Sequence, residues 1–258
     1  MDVIAVDWSG AAHGAGDRIW LAHVRRGELI DLRGGRDRSD VVDDLMARRL
    51  SCPDGLYVGL DFSFSFPEWF VRRHACRTID DVWGLAAHEG ERWLADCPPP
   101  FWGRPGHRRP DLPEHLRRCE RHAPVAGIRA KSTFQIGGAG SVGTGSLRGM
   151  PHLRLLRQAG FSIWPFHPAS PWKVMEIYPR LLTGPVRKSS HEHRARYLGG
   201  STWPVAPTFA AHMVHSEDAF DAAISALVMD RHRSELARLE PTSDPVTLLE
   251  GDIWRPCS

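Results

Sequence analysis

The sequence predicts an α/β protein of one domain, with a mixed sheet begun by the order β-β-β-α-β. Three observations carry that expectation. The stretch VIAVDWSGA (3–11) opens with four apolar residues in a row, as a strand buried on both faces does. The pattern returns in YVGLDFSFS (57–65), again closing on an aspartate. Between the two lie an alternating, turn-broken segment and one amphipathic helical segment.

The elements follow in order. DRIWLAHVRRGELIDLRG reads as two strands around a turn at Arg26-Gly27, with apolar residues alternating at Ile19, Leu21 and Val24 and again at Leu29 and Leu32. SDVVDDLMARRL (39–50) reads as a helix capped by Ser39, with a stripe of Val42, Leu45, Met46 and Leu50. A parallel strand, GLYVGLD, follows the crossover. Residues 67–150 break this regularity and are expected as a long insertion. Within it DDVWGLAAHEGERWLA is helical, whereas CPPPFWGRPGHRRPDLP (97–113) has too many prolines for regular structure. A glycine-rich loop then runs into a helix near 150–159, and FSIWPF and KVMEIYP supply two short strands. A loop-rich, histidine-containing stretch leads to a last long helix over 216–236. The whole chain, 1–258, is expected to form a single domain.

Composition limits the function classes. With 258 residues, 42% hydrophobic and 25% charged, the chain has the make-up of an ordinary globular protein. No run approaches the roughly 18 apolar residues that span a bilayer, and no signal-peptide pattern opens the chain, so a cytoplasmic protein without a membrane partner is expected. The five cysteines include no C-x-x-C pair, which argues for reduced thiols and against a zinc ribbon. A net charge of +2 does not by itself announce a nucleic-acid binder. Thirty of the 33 basic residues are arginines; Lys131, Lys173 and Lys188 are the exceptions.

The chemistry lies in the acids. In an α/β sheet, ligands gather beyond the carboxyl ends of parallel strands, which is where Asp7 and Asp61 fall. If their strands are neighbours, the two carboxylates repel unless protonated or bridged by a cation. In EDAFDAAISA, Asp218 and Asp221 share one face at i and i+3 of a helix that is apolar nearly all round. Asp218 can be satisfied by the helix N-terminus, but Asp221 lies deeper, where an unpaired carboxylate is costly. Glu176, inside the apolar strand VMEIYP, is either a fifth member of the set or the partner of an arginine. Such an oxygen-rich site selects Mg²⁺ or Mn²⁺, and two ions roughly 3.5–4 Å apart suit phosphodiester hydrolysis.

These features carry a resemblance. The order β-β-β-α-β, an Asp on the first strand, an acid on the fourth and a late acidic helix resemble the ribonuclease H-like superfamily. DAFDAA is similar to the D-x-x-D-A helix of the RuvC-type Holliday junction resolvases. More closely, VDWSG, GLDFS, GAGSVGTGSLRGMPHL, EIYP and EDAFDAAISAL, spread over residues 3–228, resemble the family called domain of unknown function 429, predicted nucleases with a ribonuclease H-like fold. The resemblance implies catalytic and metal-binding roles for Asp7, Asp61, Asp218 and Asp221, a catalytic-site position for Glu176, and a nucleic-acid partner. Family members often carry a proline soon after the second strand acid; here Phe62-Ser63-Phe64-Ser65-Phe66 intervenes before Pro67.

Other signals are weaker. GGAGSVGTGS (137–146) lacks the G-K-[ST] ending of a P-loop, yet its backbone could cradle a phosphate. Ser141 within it, with Arg129 and Lys131 just before, are the candidate substrate contacts. His191 and His193 are read as surface loop residues. Trp102, by default a core residue, could instead stack on a base. Two rival readings remain open: an actin- or sugar-kinase-like phosphotransferase, of whose D-x-G-[ST] motif DWSGA is an imperfect version, and a non-catalytic nucleic-acid or protein binding module.

Overall fold

A computed structural model describes residues 1–112, 114–121, 130–138 and 140–257. The predicted opening is present: β1 (Asp2–Asp7), β2 (Trp20–Arg25), β3 (Glu28–Arg33), α1 (Arg38–Ser51) and β4 (Leu56–Leu60). Then come α2 (Glu68–Arg73), α3 (Ile79–Asp96), α4 (Arg118–Arg121), α5 (Gly143–Gln158), β5 (Ser162–Ile163) and β6 (Trp172–Ile177). The chain ends with α6 (Pro179–Thr183), α7 (His191–Gly199), α8 (Pro207–His215), α9 (Glu217–Arg231), α10 (Arg233–Ala237), α11 (Thr247–Glu250) and β7 (Ile253–Trp254).

The seven strands form one mixed sheet in the order β3-β2-β1-β4-β6-β5, with β7 also paired to β6. The β1–β2–β3 meander is antiparallel, while β1–β4, β4–β6, β5–β6 and β6–β7 are parallel. This is an α/β architecture with a layer of helices on each face. Alternation along β1 shows why its sequence is apolar throughout. Ile4 and Val6 enter one core with Leu45 of α1, Val82 of α3 and Leu153 of α5, while Val3 and Ala5 enter the other with Phe220 and Ala223 of α9.

Several local expectations are corrected. Helix α1 is capped by Asp37 rather than Ser39, because Asp37 accepts from the Asp40 N–H and Asp40 returns the bond, a reciprocal capping box. Its buried side chains are Val41, Val42 and Leu45; Leu50 is 79% exposed. Helix α5 starts at Gly143, well before residue 150, so the second half of the glycine-rich stretch is helical. A Cβ on Gly10 would sit 2.3 Å from the Gly145 nitrogen. The small residues here let the loop after β1 touch the first turn of α5. The stretch between β6 and α9 is largely helical: Ser190 caps α7, which contains His191 and His193. The last helix breaks at His232 into α9 and α10.

The segment after β4 is ordered by its aromatic residues. Phe62, Phe64 and Phe66 are buried, and the Phe66 ring joins Phe70, Trp93, Phe101 and Phe134. The region from 67 to 150 thus contributes α2, α3 and the first half of α5 to the helical layer that also contains α1. Residues 97–112 remain irregular, as their prolines require.

Candidate metal-binding cleft

At the carboxyl ends of β1, β4 and β6 lies a cleft of about 640 Å³. Asp7 ends β1 and Asp61 directly follows β4, in register: the Asp61 N–H donates to the Val6 carbonyl at 3.1 Å. Helix α9 crosses the β1–β2 side of the sheet with its first turn at the cleft. It comes close because β4 has glycine at 59, where a Cβ would lie 2.6 Å from Met229 Sδ. Asp218 thereby lines the cleft, and Asp221, fully buried, lies one turn further in.

Electrostatics tie the four acids together. Burial, and then repulsion from Asp61, Asp221 and Asp218, push the Asp7 carboxyl well above the ordinary carboxylate range. Asp61 is pushed up to about 8, chiefly by burial, with Asp221, Glu176 and Asp218 adding to the rise and Lys188 opposing it. Asp221 reaches about 6 for the same leading reason, held down by contact with Lys188. Burial and the neighbouring Glu217 raise Asp218. Among the described residues, the carboxylates of Asp7, Asp61 and Asp218 have no hydrogen-bond or ion-pair partner.

Lys188 is the cation that the sequence reading missed. Its Nζ pairs with Asp221 Oδ2, while Asp221 Oδ1 is buried without a hydrogen-bond partner. Burial alone would lower the Lys188 pKa; Asp221, Asp7 and Asp61 together hold it raised. A signal existed. In a chain whose cations are almost all arginine, two of the three lysines, Lys131 and Lys188, stand at this site. The third, Lys173, is buried and donates to the Leu236 and Leu239 carbonyls at 2.8 Å each.

Glu176 takes the arginine alternative. Arg117, completely buried, donates Nη1 to Glu176 Oε2 at 2.8 Å and Nη2 to Oε1, and binds Glu120 Oε1 through Nε at 2.8 Å. Glu176 also accepts the Phe64 N–H at 2.8 Å. It lines the cleft, but it is already paired with Arg117, which it shares with Glu120, and it fixes the segment after Asp61. Nothing in the sequence around Arg117 marks it as that partner.

Of the candidate substrate contacts, Lys131 and Ser141 line the cleft and Arg129 lies outside the described residues. Arg18, exposed on the turn before β2, also lines it and faces Asp218 electrostatically. Trp102 packs edge-on to His115 with ring centres 5.1 Å apart and is not part of the cleft lining.

Whether the residues fit a divalent cation can be judged from their donors. Three partnerless carboxylates and the orphaned Asp221 Oδ1 form an all-oxygen set suited to a hard cation. Among the described residues, no three acidic, histidine or cysteine side chains are drawn together as a ready-made metal-binding group. Lys188 engages one member of the set, Asp221. The donor chemistry fits. No helix among the described residues is long and apolar enough to cross a membrane. No family model, curated protein or solved structure matches the chain.

Proposed function

We propose that this chain is a metal-dependent nuclease of the ribonuclease H-like type, hydrolysing nucleic-acid phosphodiester bonds with Mg²⁺ or Mn²⁺. One observation carries the reading: Asp7 and Asp61 stand at the carboxyl ends of adjacent parallel strands and, with Asp218, turn carboxylates without a hydrogen-bond or ion-pair partner to an open cleft. Burying like charges is costly, so a fold that keeps them has a use for a cation. The family resemblance read from the sequence, with its acids on the first and fourth strands and on a late helix, supports the same view.

When bound, a divalent cation supplies an activated water and stabilises the leaving oxygen. The protein's own part is to hold and orient. Asp7 and Asp61 are fixed by the strand register and Asp218 by α9. Lys131 and Arg18 offer positive charge at the cleft for a phosphate backbone. Arg117 and Glu176 brace the chain between Asp61 and α2 from below.

The test is a Mn²⁺ cleavage screen over single-stranded, duplex, branched and RNA–DNA hybrid substrates, run with wild type and Asp7→Asn. Wild type should cut at least one substrate, and Mn²⁺ should raise its melting temperature by binding the native state. Asp7→Asn should lose at least about 100-fold in rate, roughly 2.7 kcal/mol of transition-state stabilisation, and most of the thermal shift. Equal shifts and equal cleavage in the two proteins would overturn the reading.

A further inference from the structure

The carboxylate count suggests room for two divalent ions, yet the cleft already holds a positive charge of its own. Lys188 lies on the loop between α6 and α7, with its ammonium on Asp221 and within electrostatic reach of Asp7 and Asp61. The loop is pinned from beneath. Buried Arg194 donates Nη1 to the Lys188 carbonyl and binds the Met213, Val214 and His215 carbonyls at the end of α8 with its remaining nitrogens. Arg180 donates to the Val186 carbonyl two residues away. Two arginine bonds, to the Lys188 and Val186 carbonyls, thus tie the backbone on which Lys188 stands to α6, α7 and the end of α8. A lysine suits the place: its ammonium is a compact point charge of ion-like size, whereas a guanidinium is a broad planar fork. With Glu176 committed to Arg117 and Asp221 to Lys188, the remaining acids of the predicted set, Asp7, Asp61 and Asp218, have no ion-pair partner among the described residues.

We propose that the ammonium of Lys188 is the second positive charge of this centre, so that the cleft takes one divalent cation, held by Asp7, Asp61 and Asp218, beside a fixed Lys188–Asp221 pair. The proposal rests on the metal-dependent reading of the same cleft and deepens it. Asp221 becomes a positioning residue, which keeps Lys188 over the carboxylates instead of ligating the ion. A second dication would have to enter against the ammonium and share carboxylates already neutralised.

The experiment counts ions. Mn²⁺ bound per chain is measured by equilibrium dialysis with free-Mn²⁺ electron paramagnetic resonance for wild type, Lys188→Arg, Lys188→Met and Lys188→Gln, each first checked for a cooperative melting transition. Wild type and Lys188→Arg, which keep the charge, should bind one Mn²⁺. Lys188→Met should bind two. Lys188→Gln, polar and placed on a partly exposed loop, gives the same reading if the Met variant fails to fold. Two ions in wild type, or one ion in the folded neutral variants, overturns the proposal and leaves the metal-dependent reading standing. No Mn²⁺ on wild type or on any variant removes that reading and the proposal with it.

Discussion

Replacing Asp61 by asparagine should change how the metal-free protein's stability depends on pH. The folded state holds the Asp61 carboxyl near a pKa of about 8, against 3.8 for an unperturbed aspartate. Between those values the folded chain binds a proton that the unfolded chain has released. Stability therefore falls as pH rises through this window, and the loss levels off only above the folded pKa. Each pH unit costs about 1.4 kcal/mol while the folded group remains protonated. From about pH 6 to about pH 8 the sum for Asp61 is about 2 kcal/mol, because the slope weakens as the folded carboxyl begins to ionise. Asp221, raised only to about 6, is already about half ionised where this interval begins and adds little over it. For a chain of this size that loss corresponds to about 4–8 °C in melting temperature. The assay is thermal melting with chelator at several pH values. The wild-type curve should fall more steeply than that of Asp61→Asn by this amount, and Mg²⁺ should flatten it by stabilising the ionised form. Parallel curves for the two proteins would refute the reasoning, because the histidines are common to both and Asp7, whose rise Asp61 adds to, would only widen the difference.

Two further outcomes separate structure from chemistry around the site. Arg117→Met leaves Glu176 and Glu120 buried without their cation and should destabilise by about 3–5 kcal/mol, whereas Glu176→Gln should lower the melting temperature while Mn²⁺ affinity stays within about twofold of wild type; a drop of about tenfold or more would return Glu176 to the ligand set. Gly59→Ala places a methyl group 2.6 Å from Met229 Sδ and 2.9 Å from Ile177 Cγ2 and should cost about 1–3 kcal/mol; adding Met229→Ala should recover part of that loss in a double-mutant cycle, and strict additivity would contradict the close approach of α9 to β4.

What the sequence revealed and what it hid divide along a physical line. The apolar runs of β1 and β4 were readable because burial on both faces demands them, and the aspartates that end them stood out against that demand. Asp221 was legible for the same reason: α9 offers it no local partner. Periodicity failed where small residues set the packing. The first turn of α5 reads as a glycine-rich loop, yet those glycines serve close contact with the chain after β1. The stretch between β6 and α9 reads as loop because short helices with exposed faces carry little apolar stripe, although Ser190 and Pro207 mark two of their starts. Charge compensation was the least legible of all. Arg117 reaches Glu176 across 59 residues and Lys188 reaches Asp221 across 33, and no local pattern encodes such pairings. Yet these two cations decide how the acids divide. Arg117 turns Glu176 into a brace, Lys188 keeps Asp221 charged while it is buried, and Asp7, Asp61 and Asp218, which neither cation touches, line the cleft with their carboxylates unpaired. A carboxylate cluster seen in sequence is thus only a list of candidates; the positive charges that the fold brings to it select which of them remain free to hold a cation.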